Sequence, residues 1–197
     1  MRADWELISN WIKPNTRVLD LGCGDGALLK YLRSERNVSG LGLEISDDNI
    51  VRCIENGVDV IQADLEGQWH NYFSDYSFDY VLMTQTLQAV RHPDRILDEM
   101  LRIANQTIIT FYNMGYWKSR WELFNGRMPV TTVLPAQWYE TENIHLCTIS
   151  DFEALCAKKN IRCIKNVGVN HSYQVSPTTR WMPNLMSEVA LYLLSIK

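Results

Sequence analysis

Val18-Leu19-Asp20-Leu21-Gly22-Cys23-Gly24-Asp25-Gly26 joins an apolar run to a turn with glycine at every second position. The segment 17–21 is too short and too apolar for a surface helix and is closed by Gly22, so it reads as a strand buried in a parallel sheet. Ala27-Leu28-Leu29-Lys30-Tyr31-Leu32-Arg33 then carries helical spacing. Strand, glycine turn and helix in that order let the backbone approach a ligand closely, and the helix start presents free N–H groups to it. Gly22, Gly24 and Ala27 also satisfy the G-x-G-x-x-G/A spacing of dinucleotide sites, so the turn by itself leaves NAD open.

Outward from this turn, strands and helices alternate. Before it, Trp5, Ile8, Trp11 and Ile12 form one helical stripe that stops at Lys13-Pro14-Asn15. After it come predicted strands at 41–45, 58–62, 78–83 and 107–111. Ser46 is positioned to cap a helix with Ile50, Val51 and Ile54 on its inner face and Asn56-Gly57 at its end. A helix over 95–105 carries Ile96, Met100 and Ile103, and His92 before Pro93 suits a helix start. The alternation implies a parallel sheet covered on both faces, a three-layer α/β domain. Residues 112–147 break the pattern: they are aromatic-rich, contain Pro129 and Pro135, and read as a cap inserted over the carboxyl edge of the sheet. Ser150-x-x-Glu153 then has the form of a capping box, and 162–169 and 190–196 are strand-like. With no repeat or low-complexity tract, residues 1–197 are expected to be a single domain.

Composition limits the partners. Nineteen Lys and Arg against 23 Asp and Glu give a net charge of -4 over 197 residues, which disfavours wholesale binding to nucleic acid or acidic membranes. No apolar run approaches the roughly 18–20 residues that span a bilayer, and the first six residues are acidic rather than basic-then-apolar, so a cytoplasmic, unexported protein is expected. The five cysteines are odd in number and form no C-x-x-C pair, the pattern of reduced thiols without a metal site.

Three acids distinguish this turn from a plain dinucleotide motif. Asp20 puts a carboxylate at the first strand's end, suited to a cation such as an α-amine. Glu44 closes the second strand, where a carboxylate accepts ribose hydroxyls, a feature that NAD sites share. Asp64 follows the third strand in Gln62-Ala63-Asp64-Leu65, where its side chain can accept an exocyclic amino proton while the Leu65 amide donates to an adenine ring nitrogen. Singly, the three also fit a turn former, a solvated loop acid and a helix cap. Together they resemble the S-adenosylmethionine (SAM) site of class I methyltransferases. That resemblance implies a Rossmann-like, mostly parallel seven-stranded sheet with an antiparallel last strand, and SAM or S-adenosylhomocysteine as cofactor. It further implies Gly22, Cys23, Gly24 and Gly26 bordering the methionine portion, Glu44 and Ile45 at the ribose, Ala63, Asp64 and Leu65 around the adenine, and Thr84 at the fourth strand's end.

A narrower likeness covers the rest of the chain. Met83-Thr84-Gln85-Thr86-Leu87-Gln88-Ala89-Val90, Asn125-Gly126-Arg127-Met128-Pro129-Val130-Thr131 and Trp138-Tyr139-x-x-x-Asn143-Ile144-His145-Leu146-Cys147-Thr148 resemble runs of the methionine biosynthesis protein MetW family. The resemblance implies a SAM-fold protein that supports homoserine O-acyltransferase, with the cap as docking surface. The competing reading is a small-molecule methyltransferase whose acceptor enters under the same cap. Thr84-Gln85-Thr86 is not the Asn/Asp-Pro-Pro-aromatic run of nucleic-acid amino-methyltransferases, which argues against base methylation. No catalytic base stands out. His92, Tyr112, Asn113, Tyr139 and His145 are the polar groups expected to line the cap, and His145 also suits a hydrogen-bonded structural role.

Overall fold

The computed structural model describes residues 3–196. In chain order the elements are α1 (Ala3–Trp11), β1 (Arg17–Leu21), α2 (Ala27–Arg36), β2 (Ser39–Glu44), α3 (Asp47–Glu55), β3 (Asp59–Gln62), a 3-10 turn (Trp69–Tyr72), β4 (Phe78–Thr84), α4 (Pro93–Ile103) and β5 (Ala104–Tyr112). After these come α5 (Trp117–Phe124), α6 (Ile149–Lys158), β6 (Ile161–Val169), α7 (Pro177–Trp181), α8 (Pro183–Met186) and β7 (Val189–Ile196). The seven strands lie in the order β3-β2-β1-β4-β5-β7-β6. Pairings are parallel except those of β7, which is antiparallel to both β5 and β6. Among the described residues no helix is long and apolar enough to cross a membrane.

Side chains alternate across each strand, so β1 feeds two cores. Val18 packs with Ile8, Leu29, Leu32 and Cys53 under α1, α2 and α3. Leu19 and Leu21 face the other way, with Leu97, Met100, Phe111 and Phe152 under α4 and α6. Asp20 shares the face of Val18 and is almost fully buried there. The chain leaves β1 toward β2 and β3 and returns on the other side as β4, and the crevice at such a reversal is where open α/β sheets bind ligands. Register sets the floor of that crevice: Leu21 pairs with Leu43, Glu44 with Gln62, and Asp20 with Leu82. Gly22, Glu44, Gln62 and Thr84 therefore end their strands at nearly one level.

Several local expectations need correction. In α3 the buried residue is Cys53; Ile50 is half-buried, while Val51 and Ile54 are exposed. The helix is rotated because the small Cys53 thiol, not a branched side chain, fits against the glycine turn and donates to the Gly24 carbonyl at 3.1 Å. The capping box of α6 lies two residues earlier than expected. Thr148 and Asp151 exchange the reciprocal bonds, while Ser150 accepts from Asn184 and Glu153 accepts from the Tyr192 hydroxyl. α4 begins at Pro93 and passes directly into β5, with His92 as its N-cap residue. The helices α5, α7 and α8 went unread because each is too short to show a sustained period.

Candidate functional site

The turn after β1 folds back onto β2: the Gly22 and Cys23 amides both donate to the Leu43 carbonyl, at 2.9 and 3.0 Å. Gly22 (φ 72°) and Gly24 (φ 56°) hold left-handed conformations that residues with a Cβ adopt only at a cost. Their surroundings differ. A Cβ on Gly22 would lie 2.8 Å from the Thr86 side chain, whereas one on Gly24 would meet nothing within 4 Å. The backbone at Gly24 thus borders open space.

Glu44 is drawn into this turn. Its Oε2 accepts the Gly24 amide at 2.8 Å, and its Oε1 accepts the Ile45 and Ser46 amides, each at 3.0 Å. A carboxylate offers about four acceptor sites, so these donors leave capacity on Oε2 for an incoming hydroxyl. Beside it the Ile45 side chain is 61% exposed, a flat apolar surface at the rim.

Asp20 is the least satisfied group of the site. It is 1% exposed, and its Oδ1 has no hydrogen-bond partner among the described residues. Burial, with the Glu44 charge adding to it, raises its pKa from 3.8 to about 7. A buried carboxyl with an unpartnered oxygen gains most from a cationic or hydrogen-bond-donating ligand. Below the turn, Cys23 and Cys53 stand 3.8 Å apart, sulfur to sulfur. Burial raises both thiol pKa values, so these cysteines act as packing rather than as nucleophiles.

The third acid sits differently. Asp64 is exposed, and its Oδ1 accepts the Glu66 amide at 2.8 Å, the local cap that turn chemistry allows. Its neighbours tie it to the site: the Ala63 amide donates to the Glu44 carbonyl at 2.9 Å. The Leu65 side chain packs on the core, and its amide has no acceptor among the described residues. The structure therefore joins Asp20, Gly22, Cys23, Gly24, Glu44, Ile45 and Ala63 by contact or chain. Gly26 ends the turn as the residue capping α2. Asp64 follows β3 and Thr84 ends β4, the strands that flank β2 and β1 on either side, and among the described residues no hydrogen bond joins either side chain to the group.

Sequence reasoning missed the group beyond Thr84. Gln85 sits at φ 61°, its amide accepting from the Tyr112 hydroxyl at 2.8 Å and donating to the Tyr173 hydroxyl at 2.9 Å. Tyr173 is 88 residues away along the chain, so no local signal could have found it. A cleft of about 370 Å³ opens beside this clamp, walled by Thr86, Tyr112, Pro135 and Asn143. The segment between β5 and α6 thus reaches the crevice, and the Ile144 and His145 amides fasten it by donating to the Gln88 carbonyl. Of the residues expected to line the cap, Tyr112 borders the cleft. Buried Asn113 instead ties α8 and α6 through Ser187 and Ile149, and the His145 ring lies 3.1 Å from the Arg91 carbonyl.

Along the strand tips follow a buried carboxyl with an unpartnered oxygen, a turn of bare backbone, a carboxylate with spare acceptor capacity and an exposed apolar side chain. Comparison with known proteins bears on the fold and on the family. A crystal structure of a SAM-dependent methyltransferase from Archaeoglobus fulgidus is similar to this chain with a TM-score of 0.71 at 16% identity, covering 98% of this chain and 91% of that one. The [4+2]-cyclase SpnF is similar with a TM-score of 0.69 at 16% identity, covering 98% and 80%. At such identities the likeness establishes the fold, a methyltransferase fold that SpnF carries with a different named activity. A curated relative from Rhodopirellula baltica, the bifunctional methionine biosynthesis protein MetXA/MetW, is 32% identical over 97% of this chain. The chain spans 32% of that relative's length. The profile of the family described as methionine biosynthesis protein MetW matches residues 2–194, and the chain belongs to that family.

Proposed function

We propose that this chain binds SAM, or its product S-adenosylhomocysteine, at the tips of β1, β2 and β3 and supports a homoserine O-acyltransferase in the cytoplasm. The observation that carries the partner is the relative in which a MetW unit and a MetXA unit share one polypeptide. Fusion of two units in one protein favours the reading that their separate counterparts work in contact. The observation that carries the ligand is Asp20, whose buried, unpartnered Oδ1 suits the ligand's ammonium group. In this reading Glu44 takes a ribose hydroxyl, Ile45 covers the sugar and base edge, and the Leu65 amide with Asp64 meets the adenine. No Lys or Arg lies between Asp20 and Gly26 to pair with a diphosphate, which favours the adenosyl ligand over NAD.

The cleft beside Thr86 and the Gln85 clamp favours a second reading, a methyltransferase for a small molecule, because it opens next to Gly22 at the methionine end of the site. Bound SAM supplies an electrophilic methyl group, and transfer from it needs alignment and a dry site more than acid-base help. Tyr112, Tyr173 and Gln85 would then orient the acceptor by hydrogen bonds. The experiment that separates the readings is an assay of the acyltransferase alone and with an equimolar amount of this chain, with and without SAM. A several-fold rise in acyltransferase turnover is expected on adding the chain; unchanged turnover at saturating chain contradicts the first reading.

A further inference from the structure

The fold leaves one helix turned inside out. α5 buries Ser119 and presents Trp117, Trp121 and Phe124, spaced i, i+4 and i+7, to solvent. Helix stripes with that spacing ordinarily face a core. Here Trp121 and Phe124 stack on each other, ring centroids 5.9 Å apart, and Phe124 is 82% exposed. The stripe continues past the helix. Arg127 is held by its amide to the Glu122 carbonyl, and Glu122, Arg127, Met128 and Trp138 line a groove of about 580 Å³. Met128, Trp138 and Leu146 then line the next hollow along. Trp138 and Tyr139 stand edge to face, centroids 5.5 Å apart.

Trp117, Trp121, Phe124, Met128, Trp138 and Tyr139 are between 47% and 82% exposed. At about 200 Å² per large side chain they present roughly 700 Å² of mainly apolar surface. The largest patch on an ordinary monomer is about 300–600 Å², and a stable complex buries about 800 Å² on each partner. The area therefore matches one side of a standard protein interface, and Trp, Tyr and Arg are the residues that dominate interface energies. Lys118 and Arg127 border the stripe with no ion pair among the described residues, so a partner face with carboxylates at that edge would complement it.

We propose that α5 together with residues 127–146 is the surface on which the acyltransferase subunit docks. The inference rests on the functional reading above, with the fused relative naming the occupant and the exposed area setting the size of the contact. It accounts for a helix that gains nothing from its own fold by exposing two tryptophans and a phenylalanine.

The test measures association of the purified chain with the homoserine O-acyltransferase of the same cell by analytical ultracentrifugation and calorimetry. Three variants are compared with the unaltered chain: Trp121→Ala/Phe124→Ala, Trp138→Ala, and Val51→Glu/Ile54→Glu on the exposed side of α3. Because the altered side chains are exposed, circular dichroism and S-adenosylhomocysteine affinity should stay unchanged and certify the fold. The expected result is a complex whose affinity falls at least about 30-fold in each of the first two variants, the size of an interface hot spot, and is unaltered in the third. Full association by both aromatic variants, beside a binding unaltered chain, overturns the surface and leaves the functional reading standing. No association of the unaltered chain overturns the functional reading itself. A dimer of the chain alone, lost in the aromatic variants, overturns the occupant in favour of a second copy.

Discussion

Replacing Asp20 by Asn is expected to make the ligand-free protein more stable at pH 8, by up to about 4 kcal/mol, while destroying its affinity for a cationic ligand. Burial, and secondarily the Glu44 charge, raises the Asp20 pKa from 3.8 to about 7. A raised folded-state pKa means that this group's favourable contribution is fully present below the unfolded value of 3.8 and is lost as pH rises through about 7. Unfolding free energy of the unaltered protein should accordingly fall by about 1.4 kcal/mol per pH unit across that window. The Asn variant lacks this slope, so the two proteins should differ at pH 8 and converge below pH 4. Urea denaturation at a series of pH values checks it. The same carboxyl should lose its proton when an ammonium ligand arrives, so binding near pH 6.5 should release protons to the buffer. Equal pH slopes in both proteins would show that Asp20 is not buried and protonated as described.

The second large effect separates two glycines of the same turn, Gly22 and Gly24. Gly22→Ala adds a methyl 2.8 Å from the Thr86 side chain at a φ of 72°. The left-handed backbone costs about 1–2 kcal/mol and the overpacking about 1–3 kcal/mol more, so the loss should be about 2–5 kcal/mol of folding stability. Thr86→Ala should return part of it, because the methyl meets chiefly that side chain. Gly24→Ala meets nothing within 4 Å, so it should cost only the backbone term. Its methyl, however, enters the space assigned in the proposed site to the ligand's methionine portion, and binding should fall far more than stability does. Thermal melts and ligand titration of the two variants should therefore give opposite rankings. Equal losses of stability would contradict the placement of Thr86 over Gly22.

Much of this was legible in the chain. The strand from Arg17 to Leu21 and its glycine turn were readable because apolar brevity and glycine spacing are local properties, and from them the alternation of strands and helices followed. Asp20 and Glu44 could be singled out because carboxylates on consecutive strand tips form a pattern together, although each alone also fits a turn former or a loop acid. What escaped reading depends on distance in sequence or on which of two similar signals wins. Nothing near Gln85 announces that Tyr173 will clamp it. Thr148-x-x-Asp151 and Ser150-x-x-Glu153 are equally good capping boxes on paper, and packing of Ile149 and Phe152 into the core selects the first. The α3 stripe differs from the expectation because Ile and Val outweigh Cys in a hydropathy pattern, while the side chain buried beneath the glycine turn is the Cys53 thiol. In α5 the rule that apolar stripes face inward fails outright, and it fails on the surface inferred to meet a partner.

The central claim is that the tips of β1 to β3 form an adenosyl-ligand site, and calorimetric titration of S-adenosylhomocysteine into the ligand-free protein tests it most directly. One site per chain is predicted. Glu44→Ala should weaken it by about 1.5–3 kcal/mol, the range for a hydrogen bond to a charged group. A folded protein that gives no binding heat at high micromolar ligand, or a Glu44→Ala variant that binds as tightly as the unaltered chain, would contradict the account.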